Sequence, residues 1–444
     1  MPTPALPRKR AALHSLGCRL NHSETELIRR RLEQAGYEIV DWGAPAEVAV
    51  LNSCTVTAQA DAGSRQALRA ARRANPQARL AVVGCHAQLH AQALAAEGLA
   101  DVIVGNADKL AVVGLLAAPA GGPPRVAAPR IPRTPFAFDQ PQLAVSRDAG
   151  TRAHLKIQDG CDFVCAFCVI PRARGPARAR KLDNLLEEAG ALAAQGVREI
   201  VLTGVNLGTY AQDGAGLSGV VDRLNDLPGL ARIRISSIEP TTVSPALLER
   251  MADPGHRLVP FLHLPLQSGS DAVLAAMRRR YTAAEFRAFA EAALAAVPDL
   301  CLGTDVLAGF PGEDAAAFGD TLALLEALPL AYCHVFPFSE RAGTAAPLMA
   351  GAVPVPVRRR RAAALRALSE AKRLAFHRRF LGRSLPVLFE QPGTAGRAEG
   401  YTANFIRVQA PHADPAALRN RILPLRLTEA GADAVAGEWA GAAP

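Results

Sequence analysis

The 444-residue sequence predicts an α/β protein in three parts: an N-terminal parallel α/β sheet domain, a central partial (βα)6 barrel and a small C-terminal all-β barrel. Three observations carry this prediction. Strand and helix patterns alternate in two separate series, a Pro- and Gly-rich stretch divides the series, and the end of the chain drops the helical period. The expected boundaries are 8–118 for the first domain, 119–149 for a linker, 150–379 for the barrel and 380–444 for the tail.

In the first series a strand over 11–16 leads into a helix over 23–34, opened by a capping box in which Ser23 caps the first turn and Glu26 reaches back. A strand over 47–51, a basic helix over 63–73, a strand over 79–83, a helix over 87–96 and a short strand over 101–104 follow. Alternation at this spacing means a parallel sheet. The linker is marked by Gly121-Gly122-Pro123-Pro124 and Ile131-Pro132-Arg133-Thr134-Pro135.

The second series has strands over 154–158, 199–202, 232–236, 259–262, 302–307 and 331–336. Helices fall at 182–194, 245–251, 271–277, 283–295 and 315–327, and a basic helix over 357–379 closes the domain. Six βα units fit a barrel, complete or partial, better than a doubly wound sheet. The tail carries strand-like runs at 387–390, 405–408 and 422–427 between Gly and Pro turns, a barrel of the size that often binds nucleic acid.

Half the residues are hydrophobic and 20% charged, which excludes a disordered chain. The first residues lack the apolar segment of a signal peptide, and no uncharged apolar run reaches the length of a membrane span, so a cytoplasmic protein is expected. Eight cysteines in such a chain point to metal or catalysis rather than disulfides. The net charge of +9, with arginines in clusters, favours a polyanionic partner.

Three cysteines stand together as Cys161-x3-Cys165-x2-Cys168, on the loop that follows the first barrel strand. That end of a barrel strand carries active sites. Three thiolates can hold three irons of a 4Fe–4S cube and leave the fourth iron open, whereas a closed cluster or a structural zinc takes four ligands. The competing reading is a zinc knuckle completed by a distant His or Cys, in a non-catalytic RNA-binding protein. Three more cysteines follow successive strands of the first series: Cys18 the first, Cys54 the second and Cys85 the third. Parallel strands deliver their C-terminal ends to one edge, so these three can converge. Cys301 and Cys333 lie within strand patterns without ligand spacing and read as packing residues.

The knot, with the aromatic Phe167 before its last cysteine, resembles the radical S-adenosylmethionine superfamily. In that superfamily the open iron is chelated by S-adenosylmethionine, and reduction cleaves the cofactor to methionine and a 5′-deoxyadenosyl radical. Together with Cys18, Cys54 and Cys85, it resembles the methylthiotransferases, which end in a small TRAM domain. That resemblance covers nearly the whole chain and implies a second 4Fe–4S cluster on Cys18, Cys54 and Cys85, whose open site carries the sulfur. It also implies an external reductant and sulfur source, and no membrane.

The runs Ser15-Leu16-Gly17-Cys18-Arg19-Leu20-Asn21, Asn52-Ser53-Cys54-Thr55-Val56-Thr57 and Ala62-Gly63-Ser64-Arg65-Gln66 are most similar to the branch acting on threonylcarbamoyladenosine at tRNA position 37, at ring carbon 2. The sister branches, acting on isopentenyladenosine in tRNA or on an aspartate of a ribosomal protein, stay open as alternatives.

By the same resemblance, Thr203, Gly204 and Asn206 would meet the methionine part of the cofactor, Gln267 and Ser268 a ribose or carboxylate, and Gly309 the adenine. Asp305 is either a cofactor contact or a buried hydrogen-bonded aspartate. Arg172, Arg174, Arg178 and Arg180 follow the knot and are candidates for tRNA phosphates. The run 358–361 reads equally well as a solvated face. In the tail, Gly400-Tyr401-Thr402-Ala403-Asn404-Phe405 is similar to the TRAM pattern, with Tyr401 a candidate for stacking on a base.

Overall fold

The computed structural model describes residues 9–118, 121–132, 137–141, 150–392 and 396–439. Of the expected linker, residues 119–120, 133–136 and 142–149 lie outside the described residues.

The N-terminal sheet has six parallel strands in the order Glu38–Val40, Arg10–Ser15, Val48–Ser53, Arg79–Gly84, Val102–Val104 and Arg125–Ala127. The two edge strands were not read from sequence. Each is three residues long, too short to show a period of two, and Arg125–Ala127 lies inside the stretch read as linker. The central strands are apolar on both faces; all of Val48–Ser53 is buried, as a sheet covered on both sides requires.

The first helix, Arg19–Gln34, begins a turn earlier than the capping box at Ser23 implies. Cys18 is extended and takes the N-cap position, so Ser23 lies within the helix and donates to the His154 carbonyl at 3.1 Å. Glu26 pairs instead with Arg29 and Arg30 along the helix. The second helix, Ala58–Ala74, also starts early, because Thr57 Oγ1 accepts from the Ala60 N–H at 3.1 Å.

The barrel strands form two parallel triplets. Arg152–Lys156, Glu199–Thr203 and Arg232–Ile235 make one; Phe261–Gln267, Cys301–Ala308 and Tyr332–Pro337 make the other. A parallel bridge between Ile233 and Leu258 joins the triplets, giving a partial barrel. Leu155, Ile200, Ile233, Leu262 and Leu302 point outward into one apolar core with the flanking helices. Polar residues at alternate positions bond to one another across strands: Arg234 to Glu199 at 2.7 Å and His263 to Asp305 at 2.9 Å.

The tail is a closed barrel in the order Ser384–Pro392, Arg397–Thr402, Arg407–Pro411, Val435–Glu438 and Ile422–Ala430. The expected strand at 405 begins at Arg407, because Phe405 sits in the preceding turn at φ +65°. Val387, Phe389, Ile406 and Leu425 share a core with Phe261 and Cys301 at the start of two barrel strands. Each such buried side chain contributes about 1.5–3 kcal/mol. The tail thus sits on the barrel end opposite the knot. Among the described residues, no helix is long and apolar enough to cross a membrane.

Candidate active site

Three neighbouring parallel strands of the N-terminal sheet bring Cys18, Cys54 and Cys85 to the same edge. Cys18 is exposed, while Cys54 and Cys85 are buried. Gly17, at φ +95°, lets the chain turn here; a Cβ on it would lie 2.6 Å from the Cys54 sulfur. Burial pushes the Cys54 thiol up to about 11, with Cys85 and Cys18 adding to the shift. Asn106 Nδ2 donates to Cys85 Sγ at 3.4 Å and to the Ala173 carbonyl at 2.7 Å, tying this edge to the helix after the knot.

The knot lies on the loop following Arg152–Lys156 and the short Gln158–Asp159 strand. Its N–H groups are anchored: Cys161 donates to the Gly175 carbonyl at 3.1 Å and Cys168 to that of Cys165 at 3.1 Å. Burial raises Cys161 to about 11 and Cys168 to about 12, and a metal would deprotonate both thiols on binding. Arg279 Nη1 donates to Cys165 Sγ at 3.4 Å. All three cysteines line a cavity of about 830 Å³ between the barrel mouth and the N-terminal domain. The entry turn depends on Gly160, at φ +70°, where a Cβ would overlap the Pro176 carbonyl. Gly160→Ala is therefore expected to displace Cys161 and to lower iron bound at the knot in reconstituted protein, read by iron assay; undiminished loading would rule the turn out as its support.

The candidate cofactor residues divide. Phe167 packs edge-on to Phe310 with ring centroids 6.4 Å apart, forming one wall beside the knot. Thr203 is buried, and Gly204 packs against Gln158, whose Oε1 accepts from the N–H groups of Val205 and Asn206 at 2.8 and 2.9 Å. Asn206 is 2% exposed, yet among the described residues neither atom of its side-chain amide has a partner. A buried unpaired amide is costly and marks a place where a polar ligand fits. Gln267 sits at φ +71° beyond the Pro265 bulge, at the end of its strand.

Ser268, Gly309 and Asp305 each have neighbours within the protein. The Ser268 hydroxyl is fully buried between the Thr321 hydroxyl at 3.3 Å and the Ser270 N–H at 3.2 Å. The space beside Gly309 is filled by the Arg358 side chain rather than left for an adenine. Asp305 is partly buried, and hydrogen bonds from His263 and His334 overcome burial and hold its carboxyl below the ordinary range. Arg358 is itself buried, donating to the Val353 and Phe338 carbonyls, and Arg361 bonds Glu313, whereas Arg359 and Arg360 are exposed, so the run is a solvated face only in part. Cys301 and Cys333 are buried within strands.

Of the four arginines after the knot, only Arg172 is exposed. Arg174 is 1% exposed and bonds Glu24, Asp159 and Asn21; Arg178 pairs with Asp159 and Arg180 with Glu188. These three are out of reach of an RNA phosphate, because carboxylates on neighbouring elements already hold them. Tyr401 is likewise occupied, stacked on Phe405 at 5.0 Å with the Arg152 guanidinium 4.6 Å from its ring centroid, so base stacking there would displace existing partners.

A buried ion network that sequence reading missed locks the two domains together. Glu24 of the first helix meets Lys109, Lys156 and Arg174, and Asp159 meets Lys156, Arg174 and Arg178. The available signal was charge at strand positions flanking the knot, Lys156 and Asp159, where an apolar pattern is expected. A second tie runs from Arg341, after the sixth barrel strand, to Thr55 and Asp61 beside Cys54.

Known proteins match this architecture. Residues 10–105 match the family described as Uncharacterized protein family UPF0004, and residues 155–325 match the Radical SAM superfamily. The structure of the radical S-adenosylmethionine methyltransferase TsrM from Kitasatospora setae superposes with a TM-score of 0.53 at 15% identity, covering 74% of this chain and 75% of that one. With a three-thiol loop after the first strand of a partial barrel, the chain is a radical S-adenosylmethionine enzyme, using that cofactor and a 4Fe–4S cluster.

Over 411 residues it is 36% identical to the threonylcarbamoyladenosine tRNA methylthiotransferase MtaB of Bacillus subtilis (strain 168), covering 89% of each. It is 35% identical to the protein of that name from Aquifex aeolicus (strain VF5), over 85% of this chain and 92% of the relative. A tRNA-2-methylthio-N(6)-dimethylallyladenosine synthase from Cereibacter sphaeroides (strain ATCC 17025 / ATH 2.4.3) is 33% identical, over 97% of this chain and 98% of the relative. The chain belongs to the radical S-adenosylmethionine methylthiotransferases, of the MtaB type.

Proposed function

We propose that this cytoplasmic enzyme converts N6-threonylcarbamoyladenosine at tRNA position 37 to its 2-methylthio derivative, using two 4Fe–4S clusters. The observation that carries the reading is the pair of three-cysteine sites, each at the C-terminal ends of parallel strands, in domains clamped to one another by buried ion pairs. Cys161, Cys165 and Cys168 would hold the cluster that binds S-adenosylmethionine, and Cys18, Cys54 and Cys85 the second. When bound and reduced, the first supplies the radical and the second the sulfur to be transferred. An external reductant and sulfur source complete the requirements.

The remaining work belongs to the chain. Arg279 gives the Cys165 thiolate a charge-assisted hydrogen bond, Asn206 offers its unpaired amide to polar groups of the cofactor, and the Phe167–Phe310 wall keeps water from the knot. A dimethylallyladenosine acceptor is the second reading, favoured by the Cereibacter relative. Protein purified without air should be brown, with about eight irons per chain; colourless protein containing zinc would restore the structural-zinc alternative. The acceptor is tested by nucleoside analysis of tRNA from cells lacking the protein. Loss of the 2-methylthio-threonylcarbamoyl nucleoside is expected, and its persistence at full level in an organism with no second such enzyme would exclude the assignment.

A further inference from the structure

The two acceptors named by the relatives differ in one decisive respect. A threonylcarbamoyl group carries a carboxylate that is ionised at neutral pH, whereas a dimethylallyl group is a neutral hydrocarbon. A cavity that receives the first therefore needs a cation, and one that receives the second needs an apolar wall. The cavity at the knot has Arg130, Arg172 and Arg278 on its lining against a single carboxylate, Asp162, which already accepts from the Ala177 N–H at 3.1 Å.

Two of these cations are set in place by the backbone. Arg278 lies at φ +61°, the left-handed residue that closes the helix Asp271–Ala276: its N–H donates to the Ala275 carbonyl and that of Arg279 to the Leu274 carbonyl, both at 2.9 Å, so the helix end fixes its backbone. It follows directly on Met277, whose carbonyl accepts from the Ala166 N–H inside the knot at 3.0 Å, so its position is fixed relative to the cysteines. Arg172 donates to the Ala342 carbonyl at 2.7 Å, and it occupies the space that any Cβ at Gly343 would fill. Arg278 is exposed and makes no ion pair among the described residues.

We propose that Arg278, supported by Arg172 and Arg130, forms the subsite for the carboxylate of the threonylcarbamoyl group and so selects that acceptor over a dimethylallyl one. This rests on the acceptor assigned under Proposed function. Phosphates of the same RNA are the other anions these arginines could meet, and a matched pair of ligands separates the two. One is an anticodon stem-loop bearing threonylcarbamoyladenosine; the other is the same stem-loop with that carboxylate blocked as its methyl ester. Phosphate contacts are identical in both.

The experiment measures binding of the two stem-loops to the full-length, cluster-loaded protein by fluorescence anisotropy without air, alongside conversion of the free-acid and dimethylallyl loops. The wild type is expected to bind the free acid at least about tenfold more tightly than the ester, the scale of a charge-assisted hydrogen bond. Arg278→Gln should bring that ratio to within about twofold by weakening the free acid alone, and Arg278→Lys should retain part of it. A wild-type ratio near one, or an undiminished ratio in Arg278→Gln, overturns the subsite while conversion of the free-acid loop leaves the acceptor assignment standing. Conversion of the dimethylallyl loop alone overturns both.

Discussion

Cys161→Ala, Cys165→Ala and Cys168→Ala are each expected to abolish S-adenosylmethionine cleavage and sulfur transfer together, whereas replacing Cys18, Cys54 and Cys85 jointly by Ala should leave part of the cleavage and abolish transfer. The reason is that a three-thiolate site has no spare ligand, and the two sets sit on different sheets. Removing the N-terminal set should also halve the iron, to about four per chain. The measurement pairs 5′-deoxyadenosine with methylthio-nucleoside formation under strong reductant. Sulfur transfer persisting in the N-terminal triple variant would sink the two-cluster reading.

The second large effect concerns stability. Glu24 is 5% exposed and faces Lys109, Lys156 and Arg174 at once. Glu24→Gln leaves Lys156 and Arg174 with Asp159 as their remaining carboxylate and Lys109 with none among the described residues, and breaking a buried pair from one side costs about 3–5 kcal/mol. Lys109→Met should cost less, because Glu24 keeps two cations. Denaturant unfolding of the full chain would show the difference as a drop in midpoint, larger for Glu24→Gln; equal small losses would show the network to be energetically idle.

The same group gives a pH dependence. Burial alone would raise the Glu24 carboxyl, but Arg174, Lys109 and Lys156 overcome it and hold it well below the ordinary range. A depressed carboxyl contributes stability that is complete above the unfolded value, near about 4.3, and that is lost as pH falls further towards the folded value. The wild type should therefore weaken in acid more than Glu24→Gln does.

The legible parts of this molecule were local. Cys161, Cys165 and Cys168 announce themselves by spacing, and Cys18, Cys54 and Cys85 by each following a strand pattern, because parallel strands send their ends to one edge. The helices Leu182–Ala194 and Ala315–Ala327 fall where their apolar period places them. What could not be read was set at long range. Arg174 looks like any basic residue after a loop until Glu24, 150 positions earlier, is brought against it. Ser268 and Gly309 stand at strand ends as a ligand contact would, yet they accommodate Thr321 and Arg358, residues that only the tertiary fold makes neighbours. The Arg278 backbone is invisible in sequence, since nothing in Met277-Arg278-Arg279 signals a left-handed residue.

The tail barrel's seat has a consequence for the size of what the enzyme handles. It rests on the starts of the barrel strands, while the knot lies beyond their ends, and the eight-residue strand Cys301–Ala308 alone spans about 26 Å. Any molecule gripped by the tail and presented to the cysteines must bridge at least that length around the outside of the barrel. A substrate held at both places would have to exceed that length, which an isolated nucleoside does not and a folded RNA of tRNA dimensions does.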